Sequence, residues 1–300
     1  MANFDVSAIG SFVSNDSKEI AMRSVATAPT SKALIASGNV QFGVKGTAKL
    51  LKLSSDVSLV DGSSCGRTGG STIVLSGKDI VVKPIADEAN LCTKSLWNTF
   101  YAWALNTGSS PKEEMLPAFA KYIMDDRAAK IAATNEKLIW QGDTSLTGTT
   151  NMKRIDGIGK QVTYNATSGT TGSTIVQKLQ NFFLSQDVDV RSQDDFVIAL
   201  GKDVYDEYIM ALATANIYKP TNDLTLFGST AKLFPTSGLN GTRKIYGVRW
   251  SNITLGLDGE GDADTANLEY SIETKNFYMD FNYGLGVAIS WAEEARYATV

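Results

Sequence analysis

The first 43 positions show weak hydrophobic periodicity and are rich in Ser, Ala and Thr. This pattern predicts a loosely held N-terminal arm over residues 1–43, with one short helix over residues 18–26. An arm of this composition buries too little apolar surface to offset the entropy lost when it orders. We therefore expect a partner to order it.

Residues 44–86 alternate between apolar and polar positions in two runs. Leu51 and Leu53 alternate with Lys52 and Ser54, and a second apolar run follows over residues 72–83. Two such runs around a Gly-rich tip predict a long β-hairpin, which is marginal alone and needs another surface. The tip supplies the first set of candidate interface residues: Asp61, Gly62, Cys65, Gly66, Arg67, Gly69 and Gly70.

Helical periodicity follows the hairpin. Residues 94–105 predict one amphipathic helix, and residues 112–140 predict a second and longer one. At about 1.5 Å per residue the second helix is about 40 Å long, which exceeds what a compact chain of this size requires. It is typical of a strut along a flat or elongated subunit.

The second half predicts an α/β unit and then closing strands. A short strand over 160–164 precedes a helix over 174–184 capped by Ser173, a buried strand over 195–201 and a helix over 203–214. Further strands are predicted over 244–254, 268–281 and 285–291, with a short extension at 296–300. The fold class is therefore α+β.

A long segment rich in Gly, Pro, Ser and Thr interrupts this half at residues 218–241. Long loops within compact domains are usually functional or form interfaces. The apolar residues of this loop are the second set of candidate interface residues: Leu224, Leu226, Phe227, Leu233 and Phe234.

Composition argues against catalysis. Hydrophobic residues make up 43% of the 300 positions, as in a well-cored protein, but there is no histidine. Histidine is the usual general base near neutral pH and the commonest metal ligand. The sequence predicts no enzyme, no cofactor and no metal site. Cys65 and Cys92 lack CxxC spacing, which leaves two partly buried thiols or a disulfide open.

One acidic segment has the spacing of a calcium-binding loop. Its carboxylates occupy alternating positions, but Ala263 stands where that loop needs glycine for a sharp turn. The flanking sequence also predicts strands instead of helices. We interpret the segment as a solvated surface loop carrying Asp258, Glu260, Asp262, Asp264 and Glu269.

Charge and hydropathy limit the kinds of partner that this chain can bind. The net charge is −4, and no Lys/Arg run exceeds the two residues of Lys153-Arg154 or Arg243-Lys244. Strong binding of nucleic acid needs a concentrated basic surface, and the sequence shows none. The N-terminus predicts no signal peptide, and no apolar stretch is long enough to span a membrane.

The order of these parts resembles one family, the major capsid proteins of tailed phages with the Hong Kong 97 fold. Local stretches add to the resemblance, which extends to capsid proteins of some phages of Bacteroidetes-type bacteria. They are Cys65-Gly66, Val82–Ile85, Glu88–Leu96, Ile139–Asp143, Asp156-Gly157-Ile158 and Phe196–Gly201 with Asp203–Leu212.

The resemblance implies a domain organisation. It comprises an N-terminal arm (1–43), an extended hairpin loop (44–86), a peripheral domain with a spine helix (87–172), an axial domain (173–265) and return strands to the peripheral domain (266–300). It implies self-assembly as hexamers and pentamers into an icosahedral head made in the host cytoplasm. That head would enclose double-stranded DNA without sequence-specific binding, beside a portal and scaffolding or decoration proteins.

Two alternatives stay open. An encapsulin-like bacterial compartment shares the fold but encloses enzyme cargo. A soluble metal- or carboxylate-dependent enzyme would use the acidic loop or a Lys/carboxylate site.

Overall fold

The computed structural model describes residues 25–59, 70–92, 102, 116–148, 150–166, 170–220, 223–258, 265–271, 273–274 and 276–300. Its helices are α1 (Pro29–Ala36), α2 (Leu116–Gln141), α3 (Ile158–Gln161), α4 (Ile175–Leu184), α5 (Val188–Arg191) and α6 (Lys202–Thr214). Single 3₁₀ turns span Asn151–Lys153, Ser237–Leu239, Trp250–Asn252 and Ala292–Glu294.

The strands form two sheets and a separate hairpin. They are β1 (Val40–Gln41), β2 (Thr47–Asp56), β3 (Thr72–Val81), β4 (Lys83–Cys92), β5 (Tyr164–Asn165), β6 (Phe196–Gly201), β7 (Lys232–Thr236), β8 (Lys244–Arg249), β9 (Ile253–Leu257), β10 (Thr265–Ser271), β11 (Asn276–Ile289) and β12 (Arg296–Thr299).

The first sheet is organised around β11. This long strand pairs antiparallel with β4 along one edge, and with β10 and then β9 along the other. β1 adds to β9 in parallel. The core beneath this sheet joins β11 residues such as Phe281 and Leu285 to Met124, Ile131 and Leu138 of α2, so the long helix and the first sheet fold as one unit.

The second sheet has the order β5-β12-β8-β6-β7. Every residue of β6 is buried. Val197 and Ala199 pack into the core shared with α2, while Ile198 and Leu200 pack into a second core with α4 and α6. Because successive strand residues point to opposite faces, β6 lies between two cores, which accounts for its continuous apolar sequence.

Two strands cross the domain boundaries that the sequence analysis predicts. β9 lies within the predicted axial segment 173–265 but pairs with β11 of the first sheet. β12 lies within the predicted return segment 266–300 but pairs with β8 of the second sheet. The chain passes between the two sheets at both places, which ties the sheets together.

The predicted N-terminal arm differs from the structure over residues 25–43. α1 packs against α2 and buries Leu34 fully, and β1 joins the first sheet. The segment is not loosely held there, because small residues such as Thr30 and Ser31, both buried, allow close packing that a search for large apolar residues overlooks. The predicted helix at 18–26 lies largely outside the described residues.

Other elements confirm or correct the sequence predictions. The hairpin, α2, α4, β6 and α6 occur where they are predicted. The strand predicted over 160–164 is helical at residues 160–161, within α3, and is extended only at its end, where β5 begins at Tyr164. Thr174, not Ser173, caps α4 by accepting a hydrogen bond from the Gln177 N–H. The predicted helix at 94–105 lies outside the described residues, apart from the single residue 102.

Besides β1, the strands β4 and β7 are absent from the sequence predictions. β4 carries Pro84, Asp87 and Glu88, which have low strand propensity, and it pairs with no described strand other than β11. β7 lies within the predicted loop 218–241 and contains Pro235. β7 is an edge strand of the second sheet, where a proline is tolerated because its missing N–H need not pair.

Candidate assembly surfaces

The hairpin of β2 and β3 is a ten-pair antiparallel ladder that forms its own two-stranded sheet. Directly paired residues share a face, and residues two positions apart along a strand do as well. The pairs Leu53–Leu75, Leu51–Gly77 and Ser55–Ile73 therefore lie on one face. We call Leu51, Leu53, Ile73 and Leu75 the apolar hairpin face.

The apolar hairpin face is uncovered. Its side chains are exposed by 76% at Leu51, 58% at Leu53, 75% at Ile73 and 64% at Leu75. Burying a large aliphatic side chain fully is worth about 1.5–3 kcal/mol, and these four residues gain little of it within the subunit. A contiguous apolar surface of this kind marks an interaction site.

The opposite hairpin face is held by the body of the same subunit. Near its base Ile80 is fully buried. Further along, the Lys52 Nζ lies 3.0 Å from the Glu293 Oε1 and 3.7 Å from the centroid of the Trp291 ring. A backbone hydrogen bond within Glu293, followed by the bond from Lys52, holds the pKa of the Glu293 carboxyl below its usual value. We call this contact the Lys52 latch.

The predicted hairpin tip lies outside the described residues, except for Gly70, which is exposed. Its role as an interface stays a prediction. Cys65 also lies there, and the Cys92 side chain is not described, so a pairing between the two cysteines stays open.

The five predicted interface residues of the loop at 218–241 lie in three environments. Leu226 and Leu233 are 1% and 2% exposed and belong to the second core, so they cannot contribute to a surface. Phe234 is half-buried and packs edge-on against Trp250, with ring centroids 5.0 Å apart. Leu224 and Phe227 remain well exposed, at 42% and 40%.

Sequence analysis missed the most exposed aromatic residue of this region, Tyr218, which is 90% exposed. The loop around it is anchored from below. The Tyr208 hydroxyl accepts a 2.8 Å hydrogen bond from the Phe227 N–H, and the Lys219 ammonium donates to the Thr225 carbonyl. Burial lowers the pKa of Lys219. The loop therefore presents apolar side chains from a fixed backbone.

The segments Gly142-Asp143 and Asp156-Gly157 meet at the end of α2. The Gly157 N–H donates a 2.8 Å hydrogen bond to the Gly142 carbonyl, and a Cβ on Gly157 would lie 2.7 Å from the Gly142 nitrogen. Only glycine permits this approach. The Lys160 Nζ then joins the two carboxylates, at 2.6 Å from Asp143 and 2.9 Å from Asp156.

This Lys160 contact sets the charge state of its partners. Hydrogen bonds from Lys160 and then Ser145 lower the pKa of Asp143 to about 2. At Asp156 burial acts to raise the pKa, but hydrogen bonds from Lys160 and Thr144 outweigh it and the pKa is lowered. Both carboxylates are engaged in structural contacts, so the two motifs of the resemblance fix the chain direction after α2.

A buried carboxylate joins three distant segments. Glu136 of α2 is 0% exposed and accepts hydrogen bonds from the Thr30 N–H at 3.0 Å, from the Thr30 hydroxyl at 2.6 Å and from the Thr236 hydroxyl. The Trp140 indole donates to the same Thr30 hydroxyl at 2.7 Å. Residues 25–43, the long helix and β7 are thus bound at one point.

No catalytic or metal site emerges from the described residues. They contain no group of three or more His, Cys, Asp or Glu side chains able to hold a metal ion. Most of the acidic loop, residues 259–264, lies outside them. None of the described helices combines the length and apolar character needed to cross a bilayer.

Comparisons with known proteins connect this architecture to solved structures. No protein-family model and no curated protein matches the sequence. Solved structures do match. A chain of the cyanophage A-1(L) capsid asymmetric unit aligns with a TM-score of 0.60 and 8% identity, covering 90% of this chain and 92% of that chain.

Two further matches are of the same kind. A chain of the satellite phage P4 procapsid, solved with its size determination protein, gives a TM-score of 0.58 at 8% identity over 89% of this chain and 90% of its own. A chain of the empty GTA particle capsid gives a TM-score of 0.54 at 11% identity, covering 87% of this chain and 88% of that chain. The chain therefore has an α+β fold, and that fold is the one found in phage capsids.

Proposed function

We propose that the chain is the major capsid protein of a tailed phage. Copies of it assemble as hexamers and pentamers into an icosahedral head that encloses double-stranded DNA. The observation that carries the proposal is the apolar hairpin face, which has no partner among the described residues of its own subunit, on a chain with a capsid fold. The role is structural and not enzymatic.

Each surface has a part in the proposed assembly. The apolar hairpin face lies across a neighbouring subunit and gains the burial it lacks alone. The exposed residues of the second sheet's loop, Tyr218, Leu224 and Phe227, crowd around a five-fold or six-fold axis. One set of such contacts, repeated by closed symmetry, generates a shell.

The proposal also divides the subunit and names its surroundings. The first sheet and α2 form the peripheral domain, and the second sheet with α4 and α6 forms the axial domain. The protein is assembled in the host cytoplasm and resides in the virion capsid. A portal and scaffolding or decoration proteins complete the particle.

The test uses two double variants. Each places two negative charges on one face of the hairpin, and the two variants use opposite faces. Leu53→Asp/Leu75→Asp charges the apolar hairpin face, while Ser54→Asp/Ser76→Asp is the matched control on the other face, where both serines are exposed. Size-exclusion chromatography and negative-stain microscopy report particle formation. We expect folded subunits from both variants and shells from the control alone.

Shells of normal yield from Leu53→Asp/Leu75→Asp would contradict the assignment of the hairpin face. Deleting residues 61–71 tests the hairpin tip in the same assay, with loss of stable particles expected. The particle contents separate the encapsulin-like alternative, because a compartment would carry enzyme cargo where a phage head carries DNA and a portal.

A further inference from the structure

A cavity of about 230 Å³ lies between α2, β4 and the 3₁₀ turn at Asn151–Lys153. α2 contributes Arg127, Lys130 and Thr134, which share one helix face because they are three and four positions apart. Arg154 closes the cavity from the turn. Three cations, one of them distant in sequence from the other two, thus line one small space.

The cavity is positively charged. Among its lining residues the three cations face a single carboxylate, Asp87. Lys130 also pairs with Asp126 at 2.6 Å, but that contact is exposed and Asp126 does not line the cavity. A positive charge remains even when Asp126 is counted. The Arg154 side chain is exposed and has no ion pair or hydrogen bond with a described residue.

Asp87 orients one of these cations. The Arg127 Nε and Nη2 donate to the two Asp87 oxygens, each at 2.7 Å. This bidentate pairing fixes the guanidinium plane and occupies one of its edges. The Nη1 group has no hydrogen-bond partner among the described residues and remains available to a ligand.

The floor of the cavity is apolar. Ile131, Leu138 and Tyr283 line it, and all three are buried. Burial raises the pKa of Tyr283 to about 12, so this phenol adds no negative charge. Arg127 is the most sheltered of the three cations, with its side chain 34% exposed, so solvent screens its attraction for an anion least.

The volume of the cavity limits the size of the ligand that it can hold. A volume near 230 Å³ equals about seven or eight waters at about 30 Å³ each. It lies below the roughly 300–1,000 Å³ typical of pockets for whole small molecules. A phosphate group fits, whereas a complete nucleotide does not. Guanidinium and ammonium groups around a small space are the chemistry that binds phosphate.

We infer that this cavity binds a phosphate group, and that the phosphate belongs to the backbone of enclosed DNA. The phosphate chemistry rests on the cavity alone, while the DNA source rests on the proposed function. A phosphate contact carries no sequence information, so it adds a grip without sequence preference. It also places this side of α2 on the inner surface of the shell.

The test compares Lys130→Gln/Arg154→Gln with Lys202→Gln/Lys232→Gln, a control that removes two exposed cations elsewhere. Neither variant touches the Arg127–Asp87 pair. Binding of a fluorescent 20-base-pair duplex (about two helical turns) to unassembled full-length chain is measured by anisotropy over a series of salt concentrations. Thermal unfolding with sodium phosphate, against sodium chloride at equal ionic strength, tests free phosphate.

Removing one cation that binds a DNA phosphate lowers the slope of log affinity against log salt by about one. Because the cavity holds one phosphate, we expect a slope lower by about one for Lys130→Gln/Arg154→Gln and an unchanged slope for the control. Equal slopes for wild type and both variants, with equal phosphate stabilisation of all three, would overturn the inference. If phosphate stabilises the wild type and the control but not the cavity variant, while DNA binding is the same for all three, the cavity binds free phosphate and its assignment to DNA is wrong.

Two further arms keep the outcomes separate. Polyglutamate of matched charge should not compete, and competition equal to that of DNA would overturn the phosphate assignment. Negative-stain microscopy of the same variants should still show shells. A chain that forms no shells but loses DNA affinity through the cavity variant would contradict the proposed function while supporting the cavity.

Discussion

Ile198 in β6 and Ile73 in β3 are the same residue type in the same kind of secondary structure, yet their surroundings are opposite. Ile198 is 0% exposed between two cores, whereas Ile73 is 75% exposed on the apolar hairpin face. β6 completes its burial within the subunit, and the hairpin cannot. The difference separates a strand that is buried within the subunit from a hairpin face that the described residues leave exposed.

The two isoleucines should differ in how much they stabilise the subunit. Ile198→Ala removes a fully buried side chain and should lower the free energy of unfolding by about 2–5 kcal/mol. Ile73→Ala should change it by no more than about 0.5 kcal/mol, since the side chain is already in water. Urea unfolding of unassembled subunits measures both, and equal losses would remove the distinction between the two regions.

The N-terminal segment provides the next test, because it too is predicted to need a partner but is bound by a buried carboxylate of its own subunit. Glu136→Ala leaves the donors on Thr30 and Thr236 without their acceptor. The free energy of unfolding should fall by about 2–3 kcal/mol. Glu136→Gln keeps one acceptor oxygen and should lose less. An Ala variant as stable as wild type would show that the network does not hold this segment.

The Lys52 latch should stabilise the position of the hairpin, although it contributes less free energy than the Glu136 network. Lys52→Ala removes the latch to Glu293 and Trp291 and should cost less than about 1 kcal/mol, because the pair is partly exposed. Hydrogen exchange within β2 and β3 should nevertheless rise. Lys49→Ala, on the opposite face and exposed, is the control. Equal exchange in the two variants would show that the latch does not position the hairpin.

The smallest effect is expected from the Lys160 contact in the body. The pKa of Asp143 is lowered from 3.8 to about 2, so its stabilising effect is fully present above pH 3.8 and is lost as the pH falls toward 2. Asp143→Asn should therefore differ from wild type by a constant amount above pH 4 and by less below it. Urea unfolding across this pH range measures the difference in the free energy of unfolding. A difference that grows as the pH falls would contradict the lowered pKa of Asp143.

Sequence reasoning located the elements whose pattern is strong within a short window. The alternation at Leu51 and Leu53 predicted the hairpin, and the apolar run at 196–201 predicted β6. It could not locate α1, whose contacts are made by Thr30 and Ser31, or β4 and β7, whose edge positions tolerate prolines and charges. Those elements depend on partners far away in the sequence, such as Glu136 for Thr30.

The candidate surfaces also depend on contacts between residues that are far apart in the sequence. Five apolar residues in the loop at 218–241 predicted an interface, but only the fold separates buried Leu226 and Leu233 from exposed Leu224 and Phe227. The cavity beside α2 is beyond any linear pattern, since Arg127 and Arg154 come together only when the turn at Asn151–Lys153 packs beside the helix.

The proposed function requires that copies of this chain bind one another to form a shell. Analytical ultracentrifugation and negative-stain microscopy of the purified wild-type chain measure this self-association. We expect closed icosahedral shells many times heavier than the 32.3 kDa subunit. A stable monomer that stays at 32.3 kDa at high concentration, with its hairpin exposed to solvent, would contradict it.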